Sequence, residues 1–180
     1  EFSAFARMPA PVVRDEDLLD VVRQTVFLAR NGYPDVTVEA DLPNQPLKIP
    51  CDVRQVGQAL TNLVKNAVEA VQGREDGDLP RGLVQVSLSR HQGTVTIAVT
   101  DNGKGLPEEQ RDRLTEPYVT TRVKGTGLGL AIVKKIMEDH GGELVLEDLN
   151  GAGARVSLVF RSPPNSGGSG TTETVSTHGA

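Results

Sequence analysis

Residues 52–71 read DVRQVGQALTNLVKNAVEAV. Val56, Leu60, Leu63, Val64, Ala67, Val68 and Val71 recur at three- and four-residue spacing, the pattern of a helix with one wide apolar face. Asp52 stands where an N-cap belongs, because a carboxylate there accepts free backbone N–H groups of the first turn. Asn62, Asn66 and Glu69 follow at i, i+4 and i+7 and line one edge of this helix. Asparagine is a mediocre helix former, since its amide competes for backbone hydrogen bonds. Two in phase in mid-helix predict another use for those amides: the oxygen can ligate Mg2+, and the NH2 can bond a phosphate oxygen. A plain solvated polar edge is the competing reading of the helix taken alone.

Downstream, Leu83–Arg90 and Thr94–Asp101 read as strands of a hairpin across Gln92-Gly93. Val95, Ile97 and Val99 share a strand face, and Asp101 has the same parity, so its carboxylate is expected to point inward and to need partners. Asp101 opens the run DNGKG, in which Gly103 and Gly105 let backbone approach a ligand closely; the alternative is an Asx-turn residue that serves only the loop. The segment from Asn102 to Gly127 is long for a compact domain, with one short helix expected over 108–114, and loops of that length are usually functional. It ends in GTGLGL, residues 125–130, directly before an amphipathic helix over 128–140 that Gly141-Gly142 closes. Glycine-rich loops at helix N-termini bind phosphate through free N–H groups and the helix dipole. Lys124 adds a charge there. No strand directly precedes the run and no βαβ unit contains it, so it is not the dinucleotide fingerprint.

The rest of the chain bounds the answer. Its 180 residues make one domain with short appendages. A net charge of −5 and the lack of any basic run argue against nucleic acid as a partner. The one cysteine, Cys51, can form no internal disulfide and reads as a small buried filler. No apolar run has the length of a membrane span, which leaves the chain itself without membrane contact. Phe2, Phe5 and Met8 sit at helical spacing before Pro9 and Pro11, as in the last turns of a helix that begins upstream. A helix capped within 15–17 and ended by Gly32 and Pro34 comes next. Short strands over 36–42 and 47–49 flank the turn Pro43-Asn44, residues 73–82 form a polar loop, and a last hairpin pairs 143–147 with 154–160 across Asn150-Gly151. The Ser/Gly/Thr-rich tail over 162–180 is expected to be disordered. The sum is an α+β chain, a two-layer α/β sandwich with a mixed sheet of about five strands and helices on one face.

Taken in order, NLVKNA (62–67), DNGKG (101–105), EPYVTTR (116–122) and GTGLGLAI (125–132) resemble the N, first glycine, F and second glycine boxes of sensor histidine kinases. That group is part of an ATPase superfamily shared with gyrase, a heat-shock chaperone and the MutL mismatch-repair proteins. The resemblance runs from about Asp17 to Phe160, and EFSAFARMP with EPYVTT look most like the NtrY-type nitrogen-regulation kinases. It implies a Bergerat-type fold with a long ATP lid, and ATP and Mg2+ as cofactors. By position, Asn66 matches the Mg2+ ligand and Asn62 the asparagine near the phosphates. Asp101 matches the acceptor of the adenine amino hydrogen, with Gly103 and Gly105 shaping the adenine pocket. Thr120, Thr121, Lys124, Gly125, Thr126, Gly127, Leu128 and Gly129 match the lid and its hinge, Asn62 and Lys124 acting on the phosphates; Lys65 is a further phosphate candidate.

In hydrolytic members a glutamate stands four residues before the Mg2+-binding asparagine and activates water. This chain has Asn62 there, and a neutral amide is no general base, which favours phosphotransfer over hydrolysis. The acceptor histidine is expected outside the chain. His91 reads as a turn residue, His140 as a helix-ending cation suited to the dipole, and His178 lies in the tail, none with an acidic residue following it on a helix. The implied division is 1–14, the end of a dimerisation helix and linker; 15–161, the catalytic domain; and 162–180, the tail. The implied partners are the kinase's own dimerisation and phosphoacceptor domain and a response regulator, in a homodimer whose catalytic domain is cytoplasmic and whose full-length chain is anchored in the inner membrane. A hydrolytic ATPase and an ATP-sensing or interaction module without kinase activity are the rival readings.

Overall fold

The computed structural model describes residues 8–74, 80–107, 113–117, 127–150 and 153–161. Along these the elements are β1 (Arg14–Asp17), α1 (Leu18–Gly32), β2 (Thr37–Asp41), β3 (Lys48–Cys51), α2 (Val53–Gln72), β4 (Leu83–His91), β5 (Thr94–Asp101), α3 (Gly129–Asp139), β6 (Glu143–Asp148) and β7 (Ala154–Arg161).

A five-stranded sheet has the order β2-β4-β5-β7-β6, with β2 parallel to β4 and the other pairs antiparallel. The period-2 pattern read along the strands holds. Val86 sits opposite Val99, which sits opposite Val156, and Leu88 opposite Ile97, which sits opposite Leu158. The three helices cover the sheet in sequence, α1 on β2 and β4, α2 on β4 and β5, α3 on β6 and β7, with α2 touching both of the others. All therefore lie on one face, and their apolar stripes close the core: Val22 and Val26 from α1, Leu60, Leu63 and Val68 from α2, Val133 and Ile136 from α3. This is the two-layer α+β sandwich expected.

The N-terminal third departs from the reading of its residues. Asp17 caps α1 by accepting Leu19 N–H, but Arg14–Asp17 is also a strand, which the acidic composition of RDED hid. The two short strands flanking Pro43-Asn44 join different sheets: β2 extends the main sheet, whereas β3 pairs antiparallel with β1. The chain between them carries prolines at 43 and 46, which cannot donate to a ladder, and Leu47 N–H is taken by Asp17 Oδ1 at 2.9 Å. Cys51 is fully buried, and burial first, then the carboxylates of Glu16, Asp52 and Asp15, push its thiol up to about 11, which suits an inert filler.

The short helix expected over 108–114 and the polar loop over 73–82 fall partly outside the described residues, and the helical turns of residues 1–7 and the tail over 162–180 wholly so. His140 needs a correction. It closes α3, but its Nε2 accepts the backbone N–H of Asp52 at 2.9 Å, and its Nδ1 stands 2.7 Å from Ile136 O. A backbone N–H can only donate and a carbonyl can only accept, so Nε2 is the acceptor and Nδ1 the donor here, a tie between segments that the reading of a helix-ending cation did not include.

Candidate nucleotide site

Helix α2 is the spine of the site. Asp52 accepts Arg54 N–H at 3.0 Å and Gln55 N–H at 3.4 Å, fixing its start, while its apolar face is locked into the core. That packing leaves Asn62 and Asn66 half-buried along one edge of α2, which packs against α3. Gly129 begins α3 directly opposite Asn66: a Cβ there would stand 3.8 and 3.9 Å from the two amide atoms. The preceding residue, Leu128, is buried and offers no side-chain cap, so the first N–H groups of α3 have no side-chain acceptor from that position. Gly127, at φ +68°, turns the backbone into the helix in a conformation that favours glycine.

One turn beyond Asn66 on α2, Ala70 meets the DNGKG turn. Its carbonyl accepts Lys104 N–H at 3.3 Å. A Cβ on Gly103 would lie 2.6 Å from the Ala70 carbonyl carbon and 2.7 Å from Asp101 Oδ1, so only glycine passes between helix and carboxylate. Asp101 points to the helix face as its parity predicts and is 6% exposed. Burial raises its pKa above the usual carboxylate range, against the opposing effect of hydrogen bonds from the backbone N–H groups of Gly103, at 2.8 Å, and Ala154. At 1.5 Å per residue, Asn62 to Ala70 spans about 12 Å, so the amide edge and the carboxylate turn lie along one helix at about the length of a nucleotide.

Three supporting residues were not legible beforehand. Asn102 ties the turn to the sheet, its Oδ1 accepting Leu83 N–H at 2.8 Å and its Nδ2 donating to Arg81 O at 2.9 Å. Asp148 accepts Leu106 N–H at 3.3 Å, just after Gly105 at φ +77°. Gly153 leaves no room for any side chain, since a Cβ would fall 1.8 Å from the carbonyl oxygen of Asp101. The signals were weak ones: a polar residue beside DNG and a second glycine in a hairpin turn. Lys65 is exposed and stands 3.9 Å from Glu69. Thr120, Thr121, Lys124, Gly125 and Thr126 lie outside the described residues.

An α+β sandwich that sets Asn66 opposite a glycine-led helix start, and a buried aspartate behind a glycine turn, has the design of an ATP-binding domain. The chain belongs to the histidine kinase-, DNA gyrase B- and HSP90-like ATPase family, which it matches over residues 51–164. It is 50% identical over 164 residues to the nitrogen regulation protein NtrY of Azorhizobium caulinodans, covering 90% of this chain and 21% of that one, so it spans about a fifth of that relative's length. Among solved structures it resembles a mycobacterial sensor histidine kinase, MprB, with a TM-score of 0.71 at 27% identity, covering 83% of this chain and 97% of that one. It also resembles full-length ShkA in complex with AMPPNP, with a TM-score of 0.72 at 25% identity, covering 88% of this chain and 33% of that one.

Proposed function

We propose that the chain is the catalytic domain of an NtrY-like sensor kinase, which holds Mg-ATP along α2 and donates the γ-phosphoryl to a histidine on a dimerisation helix, for onward transfer to a response regulator. One observation carries this: the Asn66 amide of α2 faces the start of α3 at Gly129, while the buried Asp101 at the end of β5 stands behind Gly103 beside Ala70, one turn farther along α2. Adenine belongs at the Asp101 end, its amino group donating to the carboxylate with Gly103 and Gly105 beneath the ring. The phosphates belong at the Asn62–Asn66 end, against the N–H groups of Gly127–Gly129, under a lid that carries Thr120, Thr121, Lys124, Gly125 and Thr126. Lys65 is within reach of the same end. The resemblance to a kinase that binds an ATP analogue supports the assignment.

The donor set fits Mg2+. This cation keeps waters and phosphate oxygens and needs few protein ligands. The described residues offer no group of three or more His, Cys, Asp and Glu side chains, but Asn66 offers an amide oxygen at the phosphate end. Bound there, the ion would neutralise charge on the phosphates. Catalysis is then positioning and charge neutralisation, and Asn62, lacking a base function, leaves water unactivated so that the phosphoryl group waits for imidazole.

By this reading residues 1–14 lead in from the dimerisation helix, 15–161 are the catalytic domain and 162–180 a tail. No described helix is long and apolar enough to cross a membrane, and a cytoplasmic domain of an inner-membrane homodimer serving nitrogen regulation is the setting proposed. Calorimetric titration with ATP, with and without Mg2+, tests the site. The expected result is a single site strengthened by Mg2+, with the Mg2+ dependence lost in Asn66→Ala. A Mg2+ effect that survives that change would remove Asn66 from the site, and an absence of ATP binding would end the proposal.

A further inference from the structure

The geometry points to Asp52 as a positioning residue that couples the chain entering the domain to the nucleotide site, an inference that rests on the ATP site proposed above. Three segments meet at this one residue. Its backbone N–H donates to Nε2 of His140, the closing residue of α3. Its Oδ1 caps α2 through Arg54 and Gln55. Its Oδ2 accepts Val12 N–H at 2.9 Å from the incoming strand of chain. Next to it, Gln55 Nε2 donates to Pro9 O at 2.9 Å, so residues 9–12 are fastened twice to the first turn of α2.

The consequence follows from how α2 and α3 lie together. The start of α2 meets the end of α3 at Asp52–His140, and the middle of α2 meets the start of α3 at Asn66–Gly129. The two helices pack against each other, and of their meeting points Asp52–His140 touches the entering chain and Asn66–Gly129 lies at the phosphate end, fourteen residues apart along α2, about 21 Å of rigid helix. Moving residues 9–12 shifts Asp52, and the pair transmits the shift as a change in the gap between Asn66 and Gly129. The junction therefore acts as a latch between the entering chain and the nucleotide site, and coupling through it acts equally in both directions.

Val12→Pro tests this in the 180-residue chain. Val12 is 53% exposed, and the change deletes its N–H while leaving the Asp52 bonds to Arg54, Gln55 and His140 in place. ATP affinity is expected to change about three- to tenfold. In the unmodified chain, saturating ATP is expected to alter hydrogen exchange at the Val12 amide, which a merely structural bond far from the site would not show. Gln55→Met, which keeps the volume and loses the bond to Pro9, gives an independent variant should Val12→Pro fold poorly. ATP affinity unchanged in the folded variants, with Val12 exchange indifferent to ATP, would overturn the latch while leaving the site intact. No ATP binding by the unmodified chain would overturn the site and the latch with it.

Discussion

Asp101 is a carboxylate whose burial works against its own charge, and that tension makes its role testable. Its folded pKa lies above the ordinary value, so its ionisation costs stability: the stabilising contribution is full at low pH and is lost as pH rises through the folded pKa. In the proposed site binding runs the other way, because only the carboxylate would be a charge-assisted acceptor for the adenine amino group. ATP affinity is therefore expected to fall on acidification, starting at a higher pH than an exposed aspartate would give. Asp101→Asn should flatten that profile and weaken binding by about 1.5–3 kcal/mol, yet leave the ligand-free domain at least as stable at neutral pH. Titration calorimetry across pH, paired with thermal melts, checks both halves. At Gly103 the argument is steric. Gly103→Ala places a methyl at 2.6 Å from the Ala70 backbone, so we expect a loss of about 1–3 kcal/mol in stability, read from chemical denaturation, together with weakened ATP binding.

At the scale of elements, α2 was legible almost whole. Its apolar stripe, its Asp52 cap and its paired asparagines each follow from 3.6-residue geometry, and the observed span Val53–Gln72 matches. The inward turn of Asp101 was legible for the same reason, since strand parity is strict. Less legible were β1, where four charged residues pair with β3, and the junction at Asp52, where bonds reach residues 40 and 88 positions away. Periodicity reports which face is buried, not what touches a polar cap from another part of the chain. Asp52 also sets a pH dependence for α2. Burial opposes its charge, but hydrogen bonds from Val12 N–H, the Arg54 side chain and the backbone of Arg54 and Gln55 prevail and lower its pKa from 3.8 to about 2. Its folded value being depressed, its contribution is present above the unfolded pKa and lost as pH falls. Acid melts should accordingly show stability dropping between about pH 4 and pH 2, a drop that Asp52→Asn diminishes.

For the whole molecule, the fold class came from the alternation of period-2 and 3.6-residue segments, and the five-stranded sheet with helices on one face agrees with it. The proposed site is divided between what the sandwich fixes, Asn62, Asn66, Asp101 and Gly103, and what the lid residues would add between 118 and 126, which lie outside the described residues. In the proposed site the fixed part would favour binding without hydrolysis, with Asn62 at the position that the resemblance gives to a water-activating glutamate in hydrolytic relatives. The fate of the γ-phosphoryl distinguishes transfer from hydrolysis. The chain is incubated with γ-labelled Mg-ATP and a dimerisation domain carrying the acceptor histidine, and acid-labile phosphohistidine is measured against released phosphate. Label is expected on the histidine, abolished by Asn66→Ala, with little free phosphate; steady phosphate release with no phosphohistidine would rule out phosphotransfer.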